Sequence, residues 1–172
     1  MKGRLSRESP RTGIEVVRNF LREAGLNLKI VVFPPDSTRT SQLAAEGIGC
    51  TVAEIGKTIG FIHKSKSSES KPVLVVLSGD KRVSSEKLAS LMSIPTSELK
   101  KMSAEEVKQL TGFSIGGVPP FPHQDGVVVL ADDSLFRFQK VWVAAGAANV
   151  VMEISPDILV SQFKIRRVSV SE

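Results

Sequence analysis

The chain has one cysteine, Cys50, two histidines, His63 and His123, and no tyrosine in 172 residues. A single cysteine excludes an internal disulfide and leaves too little sulfur for a cysteine zinc site. Free cysteine packs as a small apolar group, and that is the role expected of Cys50. The histidines stand far apart, and no acidic or sulfur ligands surround them at metal-binding spacing. No metal and no cofactor are therefore expected. Aromatic residues make up only 5% of the chain, which argues against a stacking platform for long single strands. No run of about 18 apolar residues is present, and the start MKGRLSRESPR lacks the apolar stretch of a secretory signal. A cytoplasmic protein with no membrane partner is expected. Gly-x-Ser-x-Gly elbows and Gly-Lys-Ser/Thr phosphate loops are also missing, so hydrolase triads and nucleotide phosphatases lack support.

What the chain does have is 41% hydrophobic residues, enough for one continuous core. Residues 1–172 are read as a single domain with a polar start of about ten residues. The net charge of +5 and pI near 9.5 favour an anionic partner. The cations gather at the N-terminus (Lys2, Arg4, Arg7, Arg11), in the stretch from Lys64 to Lys71, and near the end (Lys164, Arg166, Arg167).

Periodicity gives the elements. Ile14, Val17, Leu21 and Ala24 recur at helical spacing between Pro10 and Gly25. Leu28–Phe33 reads as a strand stopped by Pro34 and Pro35. A short helix begins near Thr40 and stops at Gly47, and Thr51 with Glu54 forms a capping-box pattern. A strand leads to His63. Pro72–Leu77 (PVLVVL) is too continuously apolar for a strand with one wet face, so it belongs in the middle of a sheet. Helices capped by Ser84 or Ser85 and by Ser103 with Glu106 follow, joined by a connection around Pro95. Strands are expected at 127–130, 141–145, 150–154 and 165–170, with a helix after Pro156. Asp132-Asp133-Ser134 reads as a hairpin turn. Helices and strands are interspersed without regular alternation. The expected class is therefore mixed α/β (α+β), a curled, barrel-like mixed β-sheet surrounded by helices.

Two segments are candidates for chemistry. In Ile55-Gly-Lys-Thr-Ile-Gly-Phe-Ile-His63, alternation puts Lys57 on the face of Ile59 and Phe61, so the lysine should point inward. An inward lysine either snorkels to a rim or lines a polar cavity, because an unpaired buried ammonium is costly. The second segment, Gly112 to His123, carries adjacent glycines at 116 and 117 and prolines at 119, 120 and 122. Glycine permits close approach of a ligand, and the amides of Gly116, Gly117 and Val118 could serve a developing oxyanion. The same composition also suits an ordinary helix-to-strand connection. A branched side chain at Gly117 is expected to harm turnover more than stability, whereas Ala131, near the expected turn, should tolerate valine.

Several pieces in order resemble the YbaK/prolyl-tRNA synthetase-associated editing domain family. They are Thr40-Ser-Gln-Leu-Ala-Ala45, Ile55-Gly-Lys-Thr-Ile59, Leu77-Ser-Gly-Asp-Lys-Arg-Val83, Leu110-Thr-Gly-Phe113, Gly116-Gly-Val-Pro-Pro120 and Val143-Ala-Ala-Gly146. The resemblance runs from about Thr40 to Leu159. It implies a trans-editing aminoacyl-tRNA deacylase that hydrolyses the ester of a mischarged tRNA carrying a small amino acid. Lys57 takes the position of the family's strand lysine as the catalytic residue. Gly116, Gly117, Val118, Pro119 and Pro120 take that of its Gly-x-x-x-Pro loop, with Gly146 as a further substrate-binding position. The implied partners are the aminoacylated tRNA acceptor end and an aminoacyl-tRNA synthetase. By the same resemblance, the substrate's neighbouring ribose hydroxyl helps to activate water. Synthetase editing insertions commonly carry a histidine near the segment that here reads Ala144-Ala-Gly-Ala-Ala148, so the amino acid removed stays open. A noncatalytic tRNA- or synthetase-binding module with the same fold is the alternative.

Overall fold

The computed structural model describes residues 11–67 and 69–172, so Lys2, Arg4, Arg7 and the expected polar start lie outside the described residues. The elements are α1 (Gly13–Glu23), β1 (Ile30–Val32), α2 (Ser41–Ile48), β2 (Ile55–His63), β3 (Lys71–Ser78), α3 (Ser85–Met92), β4 (Leu99–Lys101), α4 (Ala104–Thr111), β5 (Val128–Asp132), β6 (Val141–Ala144), β7 (Val150–Ile154), α5 (Pro156–Gln162) and β8 (Arg166–Val168). Thr12, Thr40, Ser84 and Ser103 each accept from a first-turn amide at their helix start, and Thr12 and Ser103 complete capping boxes with Glu15 and Glu106.

The expected mixed sheet is present. Its strands run β1-β7-β6-β2-β3-β5-β8, with β4 beside β2, and the path is open rather than a closed barrel. β3 is central, antiparallel to β2 and parallel to β5. Val73 through Leu77 are all at most 3% exposed. Each such side chain contributes about 1.5–3 kcal/mol by leaving water. The two faces of β3 serve different cores: Leu74 and Val76 pack with Val17 and Leu21 of α1, Val107 of α4 and Leu159 of α5, whereas Val73, Val75 and Leu77 pack with Leu88 and Ala89 of α3. Helices therefore cover both sides, which is why the run has no polar alternation.

Two expectations differ from the fold. The connection around Pro95 contains a short strand, β4, which pairs with the end of β2. Residues 132–134 do not make a hairpin. β5 pairs with β3 and β8, β6 pairs with β2 and β7, and a short 3-10 helix, Asp133–Arg137, carries the chain between them. The expected local bond of the aspartate is present, from the Ser134 amide to Asp132 Oδ2 at 2.9 Å.

Candidate active site

The site begins with a break in strand pairing. On one edge β2 pairs with β3 along its length. On the other it pairs with β6 only at Ile55 and Gly56 and with β4 only at Phe61–His63, so residues 57–60 have no strand neighbour there. The Gly79 amide donates to the Ile55 carbonyl at 2.7 Å. Antiparallel alternation then aims the main-chain groups of residues 55, 57 and 59 at β3 and those of Thr58 into the break. Gly60 agrees, because its carbonyl accepts from the Met102 amide on that side.

A cavity of about 270 Å³ occupies this break. Lys57, Thr58 and Ile59 form its floor. The start of α2 (Thr40, Ser41), the β6 residues Trp142 and Ala144, and Ile115, Gly116 and Val118 of the glycine/proline loop form its walls. No lining side chain is a carboxylate, an imidazole or a thiol. Lys57 is half-buried, and its Nζ donates to the Gly79 carbonyl at 3.3 Å. Burial lowers its pKa from the ordinary lysine value; Asp80 opposes that shift, while Arg82 and Lys101 add to it. The lysine thus points inward, as its alternation requires. Thr58 Oγ1 is buried at the same floor with no hydrogen-bond partner. Thr40 Oγ1 is committed to the Leu43 amide, and the α2 N-terminus adds positive potential at the wall.

The residues expected from the glycine/proline loop separate into two groups. Gly116 and Val118 line the cavity. Gly117, Pro119, Pro120 and Gly146 do not; they are buried behind it. The Gly117 amide donates to the Ser114 carbonyl at 2.9 Å, and its own carbonyl accepts from the Gly146 amide at 3.1 Å, so that amide is not free for an oxyanion. A Cβ at Gly117 would sit 2.7 Å from Ala147 Cα, and Gly146, at φ +104, lies against the backbone of Gly13. These two glycines hold the loop to the β6–β7 tip by close backbone contact. The expectation that a branched residue at Gly117 would spare stability is therefore corrected. Ala131 is likewise fully buried in a central strand, not at a tolerant turn.

Thr58, Ile115 and Trp142 were not singled out from the sequence. One signal was available: Gly56, Thr58 and Gly60 share one face of β2, and small residues on one strand face mark a cavity or a close approach. Among the described residues no group of three or more histidine, cysteine or acidic side chains could hold a metal.

The model of the aminoacyl-tRNA editing domain matches residues 35–161, three-quarters of the chain and the whole cavity lining. The chain belongs to the aminoacyl-tRNA editing domain family. It is 33% identical over 132 residues to the uncharacterized protein YwhH of Bacillus subtilis, covering 77% of this chain and 79% of that protein. A proline–tRNA ligase of Limosilactobacillus fermentum matches at 33% over 92 residues, 54% of this chain but only 16% of the ligase. Among solved structures, that of a proposed trans-editing enzyme for prolyl tRNA synthetase superposes with a TM-score of 0.81 at 30% identity, covering 95% of this chain and 99% of that one. In this editing domain no described helix is long and apolar enough to cross a membrane.

Proposed function

We propose that this editing domain hydrolyses the ester between a small amino acid and the terminal adenosine of a mischarged tRNA. The observation that carries the reading is the floor of the cavity, where Lys57 and Thr58, with its unsatisfied hydroxyl, lie side by side in a lining that has no carboxylate, imidazole or thiol. An aminoacyl ester is already activated, so placement and charge stabilisation can supply most of the acceleration. Lys57 stabilises the negative charge that develops as water adds to the carbonyl carbon. The amides that face the break, at Thr58, Gly116 and Val118, hold the oxyanion. As the family resemblance implies, the substrate's neighbouring ribose hydroxyl helps to place and activate the attacking water, whose proton passes to the departing terminal oxygen. The C–O ester bond then breaks, releasing the amino acid and a tRNA with a free terminal hydroxyl.

Size supports the small amino acid. At about 270 Å³ the cavity lies below the roughly 300–1,000 Å³ typical of drug-sized ligands. It adjoins an apolar side pocket of about 70 Å³ bounded by Thr58, Leu74, Met102, Ile115 and Val118. The largely apolar lining of this pocket suits a small apolar side chain. Deacylation of a panel of mischarged tRNAs tests the reading. Turnover confined to small aminoacyl groups is expected. Binding of tRNA with no turnover on any member would replace this reading with the noncatalytic module, and binding to a synthetase would then identify its partner.

A further inference from the structure

Beside the catalytic cavity lies a second depression of about 430 Å³, which shares Lys57 and Ile59 with it. Its polar rim carries Lys57, Arg82 and Lys101, and Ile59, Phe61 and Leu99 give it an apolar floor. The fold fixes the main chain that carries the two neighbouring cations. Lys101 ends β4 in register with Phe61. Arg82 is held by paired main-chain bonds to Glu172 at 2.9 and 3.3 Å. Phe61 and Leu99 are each 7% exposed, so the cations stand over apolar, low-dielectric protein that strengthens their field.

Asp80 offsets part of the charge on Lys57, but no carboxylate is paired with any of the three among the described residues. Asp80 is committed to Arg137 through two bonds of 2.7 and 3.2 Å. Neither Lys57, Arg82 nor Lys101 belongs to any ion pair among the described residues. Arg82 and Lys101 repel the Lys57 ammonium, and a ligand that supplies negative charge relieves that repulsion.

We propose that Lys57, Arg82 and Lys101 form a phosphodiester-binding subsite that holds the RNA strand leading to the aminoacylated nucleoside. The identity of the strand rests on the deacylase reading above. An RNA whose terminal ester sits over Lys57 must leave the cavity past the same lysine, and it carries one phosphate per nucleotide. An acidic peptide offers the same charge but has no reason to share Lys57 with the ester site.

The test titrates uncharged acceptor-stem minihelix RNA, with its single-stranded 3′ end, into the full chain at several salt concentrations. Lys57 is left in place. The double variant Arg82→Gln/Lys101→Gln should weaken binding on the order of tenfold at low salt and flatten the dependence of log Kd on log salt by roughly 1 to 2. Arg82→Lys should recover most of the affinity. Arg18→Gln/Arg22→Gln, which removes the same charge from α1, should change affinity by no more than about twofold. On a charged minihelix the loss should fall on KM rather than on kcat. Arg82 and Lys101 are both exposed, and circular dichroism checks that the fold survives. Parental affinity in the Arg82/Lys101 variant overturns the subsite, as does an equal loss in the α1 variant. Stronger dependence of a polyglutamate peptide than of RNA on these residues overturns it in favour of a peptide groove. RNA binding through these residues by a protein that deacylates no ester would leave the subsite standing and remove the deacylase reading alone.

Discussion

Lys57 Nζ lies 3.3 Å from the carbonyl oxygen of Gly79, a neutral acceptor, and no carboxylate is within ion-pairing distance. Burial therefore lowers the lysine's pKa below its ordinary value despite the opposing pull of Asp80. The sign follows from linkage. Between the folded and the unfolded value the native state binds fewer protons than the unfolded state, so stability rises with pH in that window. Below the window the buried cation costs stability in full. Lys57→Met should consequently leave the melting temperature unchanged or higher at pH 7 while abolishing deacylation. A calorimetric scan beside a turnover assay checks both, and a folded variant with parental turnover would remove Lys57 from the mechanism.

Thr58 carries a buried hydroxyl with no partner in the free protein. An unsatisfied buried polar group costs about 1–3 kcal/mol, so Thr58→Val, close in shape, should hold or raise stability. If the hydroxyl and the adjoining main chain engage the aminoacyl end, kcat/KM should fall at the same time. Opposite movement of stability and activity is the signature of a group kept for substrate. A loss of both would make Thr58 a packing residue.

Local signals in the sequence were sufficient for most of the frame. The caps at Ser84 and Ser103, the double-faced burial of residues 73–77 and the inward Lys57 all depend on neighbours within a turn or along one strand. What stayed hidden depends on register between distant segments. β4 is three residues, Leu-Lys-Lys, with no pattern of its own, and it is a strand only because β2 extends past β6. The break beside Thr58 exists for the same reason. Arg82 and Lys101 come from separate loops and strands, so no charge run marked them. The motif residues Gly116 to Pro120 were visible as a group, but their division into cavity-lining and supporting members came from the loop's packing on Ala147.

Asp132 is fully buried and accepts from the amides of Val170 at 2.9 Å, Ser171 at 3.0 Å and Ser134 at 2.9 Å. Burial alone would raise its pKa; the hydrogen bonds outweigh it and leave the carboxyl below the ordinary aspartate value. A depressed carboxylate contributes stability that is present above the unfolded value of about 3.9 and is lost as pH falls through the folded one. The parental protein should thus lose stability below about pH 4, and Asp132→Asn should be less stable at pH 7 with a flatter acid limb. Denaturant midpoints measured from pH 3 to 7 test this, and parallel curves for the two proteins would show that Asp132 does not titrate with folding.

The contact between Gly117 and Ala147 sets the last expectation. A Cβ at position 117 would meet three backbone atoms of Ala147 at 2.7–2.9 Å, and backbone cannot swing aside as a side-chain tip can. Gly117→Ala should therefore destabilise by about 1–3 kcal/mol, the usual cost of overpacking, and Gly117→Val by more. Activity should fall with it, because displacing the loop moves Gly116 and Val118, which line the cavity. Gly116 provides the contrast. Its Cβ would lie 3.5 Å from Ala148 Cβ, so space is adequate, but its φ of +86 strains any L side chain. Gly116→Ala should cost about 1 kcal/mol and act mainly through the cavity wall. Chemical denaturation with single-turnover hydrolysis of both alanine variants separates the two. Parental stability in Gly117→Ala would mean that the loop and the β6–β7 tip part easily, and the loop could not then position an ester by rigidity.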